Sequence, residues 1–204
     1  MGLSQCIRTL QHLPSHKQGE MRSIPGNQLE MSDLSTAEKK QSAALMRINH
    51  TGEVCAQALY LGQSLTARSN DLREKFSQSA KEESDHLYWC EQRIHDLGGR
   101  TSYLNPLWFT GSLFIGTVAG LIGDKWSLGF LAQTEKQVGA HLSKHLQALP
   151  EKDLQSRNIV FIMKQEEAMH EKMAMENGAA ILPQSMTWGM QLLAKVMTSV
   201  TYYV

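Results

Sequence analysis

Two Glu-x-x-His pairs, Glu83–His86 and Glu167–His170, constrain this chain more than any other feature. Each pair has a lone glutamate upstream at nearly the same interval, Glu53 for the first and Glu135 for the second. On a helix, residues three apart share a face, so each pair aims a carboxylate and an imidazole at one point. Two such helices, with one glutamate from each of two more, form the ligand set of a carboxylate-bridged dimetal site inside a four-helix bundle. One Glu-x-x-His carries little information; its recurrence with matched upstream glutamates is a strong pattern.

The helix signals fit this arrangement. Ser35-Thr36-Ala37-Glu38 is a capping box and predicts a helix running to about Ala67. Asn70 or Asp71 is expected to cap a second helix, which passes His86 and stops at Gly98-Gly99. Asn105-Pro106 predicts a cap and first-turn proline for a third, ending near Gly123. A fourth runs from Asp124 to Pro150, a fifth from about Glu151 to Asn177-Gly178, and a sixth from Pro183 to the C-terminus. At roughly 1.5 Å rise per residue, the ligands of each antiparallel hairpin fall within about one turn of equal height. The expected fold class is all-α, a four-helix bundle with two additional apolar helices. Residues 1–34 are read as a flexible N-terminal tail and 35–204 as the domain.

The additional helices are unusual in composition. Thr101 to Gly123 contains no charged residue, and Met186 to Val204 contains only Lys195. The first is long enough to span a bilayer, yet Thr110, Gly111, Ser112, Gly116, Thr117 and Gly120 give it a small, partly polar face. A single span would separate the two ligand hairpins across the membrane. An interfacial placement is therefore preferred over a core or oligomer contact and over a true span.

Composition excludes other classes. The chain has 20 Lys plus Arg and 20 Asp plus Glu, so no basic excess argues for nucleic acid as a partner. Cys6, Cys55 and Cys90 form no Cys-x-x-Cys and are odd in number, which fits a reducing compartment. The first thirty residues lack the apolar run of a signal peptide.

Glutamate oxygen with histidine nitrogen suits iron or manganese. The glutamates of the two Glu-x-x-His pairs are the bridging candidates, with Glu53 and Glu135 terminal. Four carboxylates offset two divalent ions, so the centre tolerates burial. His50 shares a face with Glu53 and fits two readings, a hydrogen bond to a ligand carboxylate or a partly exposed polar group. His141 and His145 read as a polar helix face, His95 as surface, and Cys55 and Cys90 as small buried fillers. Glu82, Glu91, Glu166, Glu171 and Glu176 read as solvated.

The words around the ligands carry a resemblance. The run Met46-Arg47-Ile48-Asn49-His50-Thr51-Gly52-Glu53-Val54-Cys55-Ala56-Gln57-Ala58-Leu59-Tyr60 resembles the first ligand helix of the demethoxyubiquinone hydroxylase family. Asn105-Pro106-Leu107-Trp108, the run Gly123 to Phe130, and Gln137-Val138 with His141-Leu142 are similar to its bacterial branch. Val54-Cys55, standing where eukaryotic members have an aromatic residue and a glycine, points the same way. The similarity extends from about Ser35 to the C-terminus.

The resemblance implies a ferritin-like di-iron monooxygenase on a membrane face. Glu53, Glu83, His86, Glu135, Glu167 and His170 would hold two carboxylate-bridged iron ions. The implied substrate is a membrane-embedded prenylated demethoxyubiquinol, 2-polyprenyl-3-methyl-6-methoxy-1,4-benzoquinol, whose ring receives one oxygen from O2. The implied location is the cytoplasmic face of a bacterial inner membrane, with other ubiquinone-biosynthesis proteins as further partners. Two alternatives stand beside it: a ferritin-like iron-oxidising protein, and a non-enzymatic quinone- or lipid-binding membrane scaffold.

Overall fold

A computed structural model describes residues 21–29 and 33–204. Its described residues form six helices and no strand: α1 (Thr36–Thr66), α2 (Asn70–Asp96), α3 (Asn105–Ile122), α4 (Asp124–Ala148), α5 (Leu154–Glu176) and α6 (Gln184–Thr201). The hairpins α1–α2 and α4–α5 form the bundle; α3 crosses between them along the outside of α1, and α6 closes the chain.

Local chemistry sets the helix ends. Ser35 and Glu38 form the expected capping box on α1. The α2 cap is Ser69, not Asn70 or Asp71 as expected, and its hydroxyl accepts from the Leu72 amide. Gly98 stops that helix at φ 72°, a left-handed conformation that glycine adopts without penalty. Asn105 is not the cap of α3 but its first residue; its side chain is turned to Thr51 and His50 on α1. The α5 helix begins at Leu154, three residues later than expected, because Asp153 caps it by accepting from the Ser156 amide.

Two apolar clusters fill the bundle at either end of the ligand layer. Met46, Trp89, Ile94, Leu142, Ile159 and Met163 belong to one, and Tyr60, Phe76, Leu128 and Leu131 to the other. Arg93 is buried between them and solvent, with its guanidinium donating to Asp153, Ser156 and Gln155 of the α5 start. That network ties α2 to the start of α5 and adds directional bonds to the apolar packing of Ile94 with Ile159.

The small residues of α3 have a packing role that the interfacial reading of this helix did not assign them. A Cβ on Gly62 would lie 2.6 Å from both the Leu113 carbonyl and the Thr117 amide. One on Gly116 would fall on the Leu59 carbonyl, and one on Gly120 on the Thr66 hydroxyl. Helices α1 and α3 therefore touch backbone to backbone.

The described part of 1–34 has partners in the bundle. Ile24 packs on the core, Leu34 is buried, and Arg22 is bonded to α2 and α5. The remainder of that segment, with Cys6, lies outside the described residues.

Candidate metal centre

All six predicted ligands are buried and meet in one layer. Glu53, Glu83, His86 and Glu167 form one group able to hold an ion; Glu83, Glu135, Glu167 and His170 form the other. In each group the ligand atoms lie within 4.8 Å of one another. Glu83 and Glu167 belong to both.

Their oxygens are shared between the histidines. Glu83 places Oε2 3.1 Å from His86 Nδ1 and Oε1 3.3 Å from His170 Nδ1. Glu167 places Oε1 3.3 Å from His86 Nδ1 and Oε2 3.3 Å from His170 Nδ1. Each carboxylate thus gives one oxygen to each side, the disposition of a bridge. Glu83 Oε1, Glu167 Oε1 and Glu135 Oε2 are buried and lack a hydrogen bond of proper geometry among the described residues. Buried carboxylate oxygens left this way are costly unless a cation meets them. The donor set and these orphaned oxygens both fit two hard divalent ions.

The outer ring atoms have partners that the sequence reading misplaced. His86 Nε2 meets Glu166 Oε2 at 2.8 Å, and His170 Nε2 meets Glu82 Oε2 at 2.8 Å. Glu82 and Glu166 were expected to be solvated; instead each binds the histidine of the opposite hairpin. These contacts turn both Nδ1 atoms inward and keep a proton on Nε2 when Nδ1 gives up its own to an incoming ion. The doubled Glu82-Glu83 and Glu166-Glu167 were the sequence signal for this role. Glu91 also departs from expectation, being half-buried, with burial raising its carboxyl.

The other predicted polar residues fall differently. His50 is buried beside Asn105 at 3.3 Å. His145 is buried, not part of a polar surface, with Nδ1 2.7 Å from Asn49 and its ring tilted at 58° against that of His141, centroids 3.9 Å apart. Burial lowers His145 to about 3 and His141 to about 4, so both are neutral. Tyr60, which the ligand pattern did not mark, donates from its hydroxyl to Glu135 Oε1 at 2.7 Å.

Protonation follows from burial and charge crowding. Burial, then the charge of Glu83, pushes Glu53 up; burial, then Glu167 and Glu83, pushes Glu135 up. Burial alone would raise Glu83, but the imidazoles of His170 and His86 beside it hold it below the ordinary range. Burial opposes the charged form of both imidazoles, yet the surrounding carboxylates outweigh it and raise them. The raised carboxyls of Glu53 and Glu135 and the raised imidazoles bind protons more readily, which offsets the charge of the cluster, and incoming ions compete with those protons. Metal affinity is expected to rise with pH, with proton release on binding. Manganese titrations at about pH 6 and about pH 8 check this, and equal affinity with no proton release would contradict it.

The family described as "Ubiquinone biosynthesis protein COQ7" matches residues 40–201. The chain belongs to that family. It is 52% identical to the 3-demethoxyubiquinol 3-hydroxylase of Nitrosomonas europaea, over 100% of this chain and 96% of the relative. It is 54% identical to the enzyme of that name from Chromobacterium violaceum, over 99% and 96%. The Legionella pneumophila relative of the same name is 48% identical, over 99% and 94%. Among solved structures, a dodecameric thioferritin of Bacteroides fragilis, a bacterioferritin-related protein, aligns at a TM-score of 0.57 with 18% identity. That alignment covers 68% of this chain and 84% of the thioferritin and shows a shared ferritin-like fold.

Proposed function

We propose that this COQ7-family chain hydroxylates the ring of a prenylated demethoxyubiquinol with dioxygen, using two iron ions held by Glu53, Glu83, His86, Glu135, Glu167 and His170. The observation that carries the reading is the pair of shared carboxylates, Glu83 and Glu167, each offering one oxygen to each histidine. Two ferrous ions would supply two electrons to dioxygen; one oxygen atom enters the ring C–H bond as a hydroxyl and the other leaves as water with two protons. Glu53 and Glu135 serve as terminal ligands, one on each side. Tyr60 holds Glu135 by Oε1 and leaves Oε2 turned to the centre. Glu82 and Glu166 fix the two imidazoles, and the buried layer keeps bulk water from the reacting atoms.

Turnover under isotopically labelled dioxygen tests the chemistry. The product is expected to gain one labelled oxygen; label entering from water would contradict a monooxygenase. Iron storage and a non-enzymatic scaffold are not favoured, since the similar relatives are named as hydroxylases.

A polyprenyl substrate resides in the bilayer, and two helices offer a surface to reach it. Helix α3 is long and apolar enough to cross a membrane, but its packing along α1 supports an interfacial position. Its outward face shows Leu107, Phe114, Leu121 and Ile122; α6 adds Trp188 and Leu193. Among its described neighbours α6 buries only Thr201. We infer peripheral attachment through these faces, on the cytoplasmic side of a bacterial inner membrane, where reduced cysteines persist. Phe114 is 69% exposed, so Phe114→Asp should weaken vesicle binding by at least about tenfold, the loss of one inserted aromatic. Metal content should be unchanged in that variant. Unaltered vesicle binding, or loss of metal instead, would contradict the interfacial role.

A further inference from the structure

The two halves of the centre match as far as the histidines and differ beyond them. On the His170 side, Glu82 accepts a second bond only from the Gln78 amide, at 3.0 Å, among the described residues, and its side chain is 38% exposed. On the His86 side, Glu166 is gripped by Arg22: Nη1 to Oε1 at 2.7 Å and Nη2 to Oε2 at 2.8 Å. The same Oε2 meets His86, so one carboxylate links the guanidinium to a proposed metal ligand.

Arg22 is itself firmly seated. Its Nε donates to Asp85, and its backbone amide donates to the same carboxylate at 3.2 Å. Its backbone carbonyl accepts from Trp89 Nε1 at 3.3 Å, and its guanidinium lies 4.7 Å from the centroid of that indole. Ile24 anchors the following residues in the core, and Gly26 turns at φ 75° against Asn158 of α5. Residues 21–29 thus form a strap over the seam between α2 and α5, with Ile24 packed on the core and Arg22 reaching Glu166.

We propose that Arg22 is a positioning residue that holds Glu166 on His86 and makes the two metal positions unequal. The inference rests on the dimetal reading above. A carboxylate on the far nitrogen of a ligating histidine orients the ring and raises its basicity, and its loss costs about 10–100-fold in metal affinity. A guanidinium fork fixes the carboxylate plane and takes a share of its charge. With the fork removed, Glu166 is free to turn toward water and His86 loses its partner. Among the described residues the strap makes no hydrogen bond or ion pair with Glu82, so an ion held by Glu135 and His170 would be unaffected. The ion at Glu53 and His86 depends on a residue outside the bundle.

Anaerobic cobalt(II) titration of the full chain, followed by absorption bands, tests this in the wild type, Arg22→Ala, Arg22→Lys and Glu82→Ala. The wild type is expected to take up two ions. Arg22→Ala should keep one at wild-type affinity and weaken the other by about 10–100-fold, with a change confined to one set of bands. Glu82→Ala should weaken the other ion and alter the complementary bands. Arg22→Lys should recover less than half of the lost affinity, because one ammonium cannot grip both oxygens. Two ions at wild-type affinity with an unchanged spectrum in Arg22→Ala would overturn the proposal. Equal weakening of both ions, with a lower melting temperature of the metal-free variant, would also overturn it, by making Arg22 a general structural residue. A wild type that binds no cobalt would overturn the dimetal reading itself and this inference with it.

Discussion

Glu167→Ala is expected to abolish the centre rather than weaken it. Glu167 offers an oxygen to each histidine, so its loss removes a ligand from both ions at once. It also leaves Glu83 as the one carboxylate shared between His86 and His170. Metal content should fall below one ion per chain, and hydroxylation by at least about a thousandfold, roughly 4 kcal/mol of barrier. Glu83→Ala should behave alike, for the same geometric reason. Glu53→Ala touches one side only and is expected to leave one ion bound. Metal analysis of the three variants beside circular dichroism separates ligand loss from unfolding. Two ions retained in Glu167→Ala would contradict the bridging role.

The largest expected effect on stability lies far from the ligands, at the contact of α1 and α3. Gly116→Val would set a branched side chain against the Leu59 carbonyl, where a single Cβ already has no room. The obstacle is backbone, so no rotamer change relieves it, and the two helices must separate. Overpacking of this kind costs about 3 kcal/mol, which for a chain of this size lowers the melting temperature by about 6–12 °C. Gly111, whose added Cβ would meet nothing within 4 Å, is the control on the same helix. Gly111→Ala should be nearly neutral or slightly stabilising, because helix propensity favours alanine. Thermal unfolding of the two variants checks the contrast, and a Gly116→Val protein as stable as the wild type would contradict the close packing.

The ligand layer was legible because helical periodicity turns a three-residue spacing into a shared direction, and Glu83–His86 and Glu167–His170 each record it. The sharing of Glu83 and Glu167 between the two histidines was readable as well, since the pairs sit on opposing helices with Glu53 and Glu135 on the others. What escaped depends on how the helices face each other. Glu82 and Glu166 are neighbours in sequence of the bridging glutamates, but each serves the histidine of the other hairpin. No spacing along one chain segment announces that exchange, although the doubled glutamates hinted at it. Arg22 was hidden more deeply, because it comes from a segment without periodicity and acts more than sixty residues away in sequence. The small residues of α3 were visible, but composition cannot distinguish a face that meets lipid headgroups from one that meets another backbone. Likewise His145 and Asn49 pair across α1 and α4, and only their distance shows why a charged-looking histidine is buried and neutral.

The most direct test of the central claim is a single turnover of chain loaded anaerobically with ferrous iron, mixed with a short-tailed demethoxyubiquinol and then dioxygen. Two irons per chain and one ring-hydroxylated quinol formed per pair of irons is the predicted result. Two bound irons that oxidise while the quinol is recovered unchanged would contradict it.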